Sequence, residues 1–276
     1  MNDMSNTAYR PQSIDTSIEA DRFAFALLRR KSNGDRLLMT AALTRGAREL
    51  SLIGLKRTFR ELAPSEFAQK VAFIWLGHHW PDGFTPIGDP MTWVQDSLQL
   101  ARQLHAIFEQ SNIPYYITGG VAATIYGDPR TTRDLDVVLN VRKTEIPDLV
   151  AVLEAEGFYV PGVEDVVSGR MNTLQIIHQQ TVLQADLVIS VDSEWEQLKL
   201  DRRCLESELY FISPEDIVLS KLLWRKKSQS EKQWRDVLGV LKVQGDQLDL
   251  EYLEAWANHL ELERDLSQAR REAGLP

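Results

Sequence analysis

The 276-residue chain has one cysteine, Cys204. That excludes an intrachain disulfide framework and a cysteine-based zinc cluster, and it fits a reducing compartment. Long apolar runs are missing too. The longest, Val71 to Gly77, covers seven residues, far short of the ~20 a spanning helix needs, so no membrane association is expected. The stretch from Met1 to Gln12 is polar, with no apolar segment after a basic start. No secretory signal is read there, and a cytoplasmic location is expected. Histidine is scarce as well. His105 and His178 have no attached Ser or Cys nucleophile motif, which leaves a hydrolytic triad unsupported. The adjacent His78 and His79 cannot share one face of a regular element and lack further ligands at metal spacing, so they read as loop packing. No Gly-x-x-x-x-Gly-Lys-Ser/Thr occurs, which excludes a P-loop nucleotide site.

What remains is an average globular composition, 43% hydrophobic and 26% charged, with net charge −9. The charge is uneven. Residues 20–60 hold ten basic side chains (Arg22, Arg29, Arg30, Lys31, Arg36, Arg45, Arg48, Lys56, Arg57 and Arg60) against three acidic ones. Such a stretch on an acidic protein either steers a polyanion such as RNA or forms a solvated face and internal mates for acidic groups.

Turn signals organise the chain. Thr16-x-x-Glu19 reads as a capping box opening a helix through Lys31, stopped by Gly34, with further helical spacing in Leu37–Leu43 and Leu50–Leu62. The Gly- and Pro-rich stretch 77–90 reads as a loop and domain boundary. An amphipathic helix, Met91 to Gln110, then leads to a strand over Ile113–Thr118, cut short by Gly119-Gly120. A short helix to Tyr126, a strand over Leu135–Val141, a helix from Lys143 to Glu156 and a strand pair, Thr173–His178 and Thr181–Ser190, follow. Leu209–Ile212 adds a last strand, and Pro214 opens a helical tail. The expected fold is α/β (α+β), a small mixed sheet flanked by helices. Its expected parts are a helical region 1–90 of unassigned role, a core 91–212 and a helical region 213–276. The amphipathic stretch from Asp246 to Glu272 is expected to pack on the core, and most of the seven scattered tryptophans are expected to be core residues.

Chemistry concentrates between Gly119 and Asp136. Asp134 and Asp136 are two apart, so on an extended strand their carboxylates point the same way. Like charges so close repel unless a cation joins them, and hard divalent metals favour carboxylate oxygens while leaving positions for phosphate. Gly119-Gly120 supplies a complement: without Cβ atoms the turn can bring backbone N–H groups against an anion at a helix start.

The combination of a hydrophobic strand ending in Gly-Gly, an intervening spacer, Arg130-x-Thr132-x-Asp134-Leu135-Asp136-Val137, and a third carboxylate, Asp186, in a later apolar strand resembles the DNA polymerase-β-like nucleotidyltransferase superfamily. Downstream, Ser213-Pro-Glu-Asp-Ile-Val-Leu-Ser-Lys221-Leu and Arg235-Asp236-Val237 look like the helical part of minimal nucleotidyltransferases grouped with AbiEii-type toxins. The resemblance covers about residues 96–245. It implies catalytic and metal-binding roles for Asp134, Asp136 and Asp186 with Mg²⁺ or Mn²⁺. It further implies nucleotide contacts from Gly119, Gly120 and Lys221, with Asp236 helping to arrange the site. Arg130, Thr132 and Arg133, in the loop before the carboxylates, are candidates for phosphate contact. Alternative readings stay open at this stage: Asp186 as a sheet residue, Lys221 as a surface lysine, Asp236 as a helix-pairing carboxylate, and either arginine as a mate for the acidic cluster.

The implied reaction moves a nucleoside monophosphate from an NTP to an acceptor hydroxyl. The acceptor expected first is RNA, such as a tRNA 3′ end, in a toxin-like enzyme with a cognate antitoxin partner. A small molecule such as an aminoglycoside, or a protein hydroxyl, is the alternative, and a catalytically silent partner-binding regulator is the third. Oligomeric state is left open.

Overall fold

The computed structural model describes residues 9–276, as twelve α-helices and seven strands. In chain order these are α1 (Ile18–Arg29), α2 (Asn33–Thr58), α3 (Pro64–Leu76), α4 (Ser97–Gln110), β1 (Tyr115–Thr118), α5 (Gly119–Tyr126) and β2 (Leu135–Leu139). Then come α6 (Ile146–Ala155), β3 (Phe158–Tyr159), α7 (Val163–Val167), β4 (Thr173–His178), β5 (Leu183–Ile189) and α8 (Glu194–Asp201). The chain finishes with β6 (Cys204–Glu206), β7 (Leu209–Phe211), α9 (Pro214–Ser228), α10 (Glu231–Gln244), α11 (Leu250–His259) and α12 (Glu263–Ala273). The fold is α/β, with parallel and antiparallel strand pairs. No helix of the described residues is long and apolar enough to cross a membrane.

Several helix starts fall where local chemistry dictates, and some differ from the sequence reading. Ser17, not Thr16, caps α1: its backbone is extended and its hydroxyl accepts from the Ala20 N–H. Gly34 does not stop a helix. It sits in the first turn of α2, which Ser32 caps by accepting from Asp35 N at 3.1 Å, while the Asp35 carboxylate accepts from Ser32 N. The two apolar runs expected after it are largely one helix, α2, so the break lies at residues 59–63. The expected helix from Met91 begins only at Ser97, where the Asp96 carboxylate accepts from Leu98 N at 2.8 Å.

Two compact units divide the chain, and they do not follow the boundaries 1–90, 91–212 and 213–276. One comprises residues up to Thr40, Thr118–Arg130 and Asp201–Pro276; the other comprises Ala41–Ile117 and Thr131–Leu200. In the second unit the strands run in the order β3-β4-β5-β2-β1. Here β2 and β5 are parallel, while β4 is antiparallel to both β5 and β3. Leu52 of α2, Val71, Ala72 and Leu76 of α3, Trp93 and Ile177 of β4 form one buried apolar cluster. Burial of that many large side chains gives the α2–α3 pair a fixed seat on the β4 end of the sheet, at ~25 cal/mol per Å² removed from water.

In the first unit α10 is the central helix, packed by α1, α5, α9 and α12. Contact between α5 and α10 is closest at Gly127, where a Cβ would lie 2.7 Å from the Ala123 carbonyl oxygen and 2.9 Å from Gly239 C and Val240 N. Only glycine fits there. On α10 the Lys242 ammonium is fully buried and meets Asp21 Oδ2 at 2.7 Å and the Arg10 carbonyl at 2.6 Å. Burial alone would raise the Asp21 carboxyl, but Lys242, the Tyr9 hydroxyl and the Gln12 N–H hold it below its ordinary value. The tail packs as expected through Leu248 and Leu253, with Leu250, Trp256 and Leu260 half-buried. Trp93 and Trp234 are core residues, whereas Trp224 is 63% exposed.

Candidate active site

A row of polar side chains crosses one face of the sheet in the second unit. β2 and β5 are in register with Leu135 opposite Ala185 and Asp136 opposite Asp186. Because side chains alternate along a strand, Asp134 and Asp136 lie on the same face as Gln184 and Asp186. The Gln184 amide donates to Asp134 Oδ1, as that register requires. One strand further out, Gln175 of β4 stands opposite Asp186. Adjacent strands are ~4.8 Å apart, so Asp136, Asp186 and Gln175 follow one another at close intervals.

The electrostatics of the row are those of crowded like charges. Burial pushes the Asp186 carboxyl above its ordinary value, the negative charges of Asp136 and Asp134 push it further up, and His79 draws it back. All three aspartates remain partly open to solvent. Among the described residues no three His, Cys, Asp or Glu side chains stand together closely enough to hold a metal ion by themselves. The donors present are nonetheless all carboxylate oxygens, and Asp136 and Asp186 face each other in register. This fits a Mg²⁺-type ion, which takes one or two carboxylates and fills its remaining positions with water and substrate oxygens.

Two groups that the sequence reading passed over come to this row from the α2–α3 pair. Arg48 of α2 is half-buried, donates from Nη1 to the Trp93 carbonyl at 3.1 Å, and lies 4.9 Å over the Trp75 ring. Burial pulls it down to about 10, and the charges of Asp96 and Asp134 oppose that, so it stays a cation at neutral pH. His79, read from sequence as loop packing, places Nδ1 2.6 Å from Gln175 Nε2 and lies against His78, the rings tilted by 41° with centroids 3.9 Å apart. The hydrogen bond seats His79 beside Asp186. No sequence motif marks this contact, because it joins residues 96 positions apart.

The loop before β2 is pinned from α2 as well. Thr132 is buried and its N–H donates to Thr44 Oγ1 at 3.3 Å. Arg133 is exposed, its Nη1 about 3.9 Å from where a side chain at Gly77 would begin.

The remaining expected residues lie in the first unit. Gly119 has φ +64°, a left-handed conformation that glycine adopts without strain, where the strand turns into α5; the helix begins at the glycine pair and not at Val121. Lys221 of α9 is buried, and its ammonium meets Asp236 Oδ2 of α10 at 2.9 Å. Arg130 grips the same carboxylate with two nitrogens, Nη2 reaching both oxygens at 2.9 Å and Nε reaching Oδ1 at 3.1 Å. Lys221 therefore finds its anion inside the protein, and Asp236 joins the helices, one of the alternatives left open from sequence.

No protein-family model and no curated protein matches this sequence. Among solved structures the chain is similar to an antigenic nucleotidyltransferase-like protein from Paracoccidioides brasiliensis, with 22% identity, a TM-score of 0.40, and coverage of 64% of this chain and 92% of that one. It is similar to the antibiotic-resistance factor ANT(2'')-Ia, with 17% identity, TM-score 0.43, and coverage of 63% and 99%. It is also similar to the lincosamide antibiotic adenylyltransferase LnuA, with 12% identity, TM-score 0.38, and coverage of 51% and 94%. At these similarities the activity of this chain has to be argued from its own residues.

Proposed function

We propose that this protein is a Mg²⁺-dependent nucleotidyltransferase that moves a nucleoside monophosphate from an NTP to an acceptor hydroxyl. The observation carrying this reading is the in-register pair Asp136 and Asp186, with Asp134 on the same face and the Asp186 carboxyl raised first by burial and then by its neighbours' charge. A fold keeps like charges crowded when something outside the protein is to be held between them. Mg²⁺, when bound, would neutralise charge on the phosphates and the leaving pyrophosphate. Asp136 and Asp186 would supply its protein ligands, with Asp134 completing the set once free of Gln184. Asp186, whose proton affinity is raised, accepts the acceptor's proton. The resemblance makes Gly119 and Gly120 proposed nucleotide contacts, and the exposed Arg133 is a candidate for phosphate contact.

RNA is the acceptor proposed first, supported by the exposed cations Arg22, Arg30, Lys31, Lys56, Arg57 and Arg60. A small-molecule or protein hydroxyl is the second reading. It is favoured by the internal commitment of four basic residues of the same stretch: Arg29 and Arg36 to backbone carbonyls, Arg45 to Asp96, and Arg48 to the Trp93 carbonyl. Incubation with labelled NTPs, Mg²⁺ and total RNA decides between them. Label on tRNA supports the first, and label on protein or a small acceptor the second. Absence of turnover by wild type and Asp136→Ala alike refutes transfer and leaves a regulator, with an antitoxin-like protein among its candidate partners.

A further inference from the structure

Where α2 gives way to α3 in the second unit there is a cavity of about 760 Å³ that Asp134, Asp136 and Asp186 do not line. Its size falls within the ~300–1,000 Å³ of small-molecule sites. The lining is mostly apolar, from Phe59, Leu62, Phe67, Ala68 and the prolines, with Ser65, Gln69 and Thr85 adding polar groups. Phe67 also leans on the buried cluster of α2, α3 and Trp93, which fixes the floor. The walls are stiff for local reasons: Pro64 occupies the first turn of α3, and Pro86 and Pro90 bracket Gly88, which sits at φ +98°. A rigid, open cavity needs little ordering to accept a ligand.

The rim carries a charge of one predominant sign. Lys56 is exposed, and its ammonium stands 2.9 Å from the Met91 sulfur. Arg60 faces Glu61 across an exposed 3.0 Å pair, both side chains at least 80% exposed, so solvent weakens that hold. The one lining carboxylate, Asp89, accepts from the Met91 N–H at 2.9 Å and serves as a turn cap. Two cations over an aromatic and aliphatic floor suit a molecule with an apolar body and one anionic group. They repel a polycation, and two cations are too few to track a polynucleotide backbone. We infer that this cavity binds a small amphipathic anion, a carboxylate or sulfonate on an aromatic or acyl body. The inference does not rest on nucleotidyl transfer, although Lys56 and Arg60 are also among the cations named above for RNA.

The test is titration of the full chain with 1-anilinonaphthalene-8-sulfonate, followed by fluorescence and by backbone amide shifts. One molecule is expected per chain, with the largest shifts at Ala68 and Gln69. Lys56→Glu, a change at an exposed position, should weaken binding about tenfold or more, the scale of one charge-assisted contact. Ala68→Trp should abolish binding by filling the floor, and Ser65→Trp gives a second filler should the first fail to fold. Decanoate should displace the probe and decylamine should not. Equal displacement by both, or affinity unmoved in Lys56→Glu and in a folded filler variant, overturns the inference.

Discussion

The acidic row on β2 and β5 and the Arg130–Asp236–Lys221 cluster between α9 and α10 are both charged and partly buried, yet they are built on opposite plans. In the cluster one carboxylate answers two cations, each at 2.9 Å, so opposite charges meet inside the protein. In the row, like charges are set in register, and burial together with the charges of Asp136 and Asp134 raises the proton affinity of Asp186. A cluster of opposite charges holds elements together. A cluster left in repulsion is expensive for the fold and makes sense through something it binds. Sequence reading grouped all six residues into a single site; their surroundings separate them into two kinds.

The sharpest way to break this comparison is to remove Asp136. If the row is the reacting centre, Asp136→Ala loses activity by about 10³-fold or more, measured as label transferred from NTP, because groups acting as a unit fail together. The melting temperature should not fall. A variant that unfolds more readily while keeping its activity would place Asp136 among the structural residues.

Asp236→Ala should do the reverse in the cluster. It leaves the buried Lys221 ammonium without its mate, and breaking such a pair costs about 3–5 kcal/mol, read from denaturant unfolding. Asp236→Asn keeps the shape and should still destabilise, since the amide offers no charge to either cation. Stability unchanged in both variants would mean that the cluster is not what holds α9 to α10.

His79, beside the acidic row, shows where sequence reading stops. The aspartates were legible because alternation along a strand is local: residues two apart share a face whatever the rest of the chain does. Gly119 was legible because a strand that must turn at once needs a residue free to adopt φ +64°. The strand pair β4 and β5 was read from its β-branched runs, but β3, two residues long, and β6, three, carry too little pattern to find. The role of residues 41–90 was not legible at all. Arg48 and His79 reach the acidic row only because Leu52, Val71, Leu76 and Ile177 bury one another, and such long-range packing leaves no spacing in the sequence. A capping signal can also slip by one residue, as at Ser17, because Thr16 and Ser17 offer the same chemistry. His79→Ala tests whether the long-range contact matters. Turnover should fall about tenfold, the upper scale of one hydrogen bond, with the melting temperature unmoved. Gln175→Ala, which frees the ring without removing it, should fall less. Unchanged turnover in both returns His79 to the role of loop packing.

The smallest expected effect is also the most specific, because its sign reverses with conditions. Asp186 holds its proton more tightly in the folded chain than in the unfolded one. Within the interval between those two affinities the folded state binds more protons, so its stability falls as pH rises. Below the ordinary carboxylate range Asp186 is protonated in both states and the penalty is absent; at neutral pH it is present in full. Asp186→Asn removes the ionisation. It should therefore match wild type in acid and be more stable at neutral pH, by about 0.5–2 kcal/mol, the usual gain from relieving a functional site. Adding Mg²⁺ and an NTP should reverse the order, since wild type gains stability from a ligand that the variant binds poorly. A constant offset at every pH, unmoved by Mg²⁺, would mean that the repulsion in the row serves no ligand.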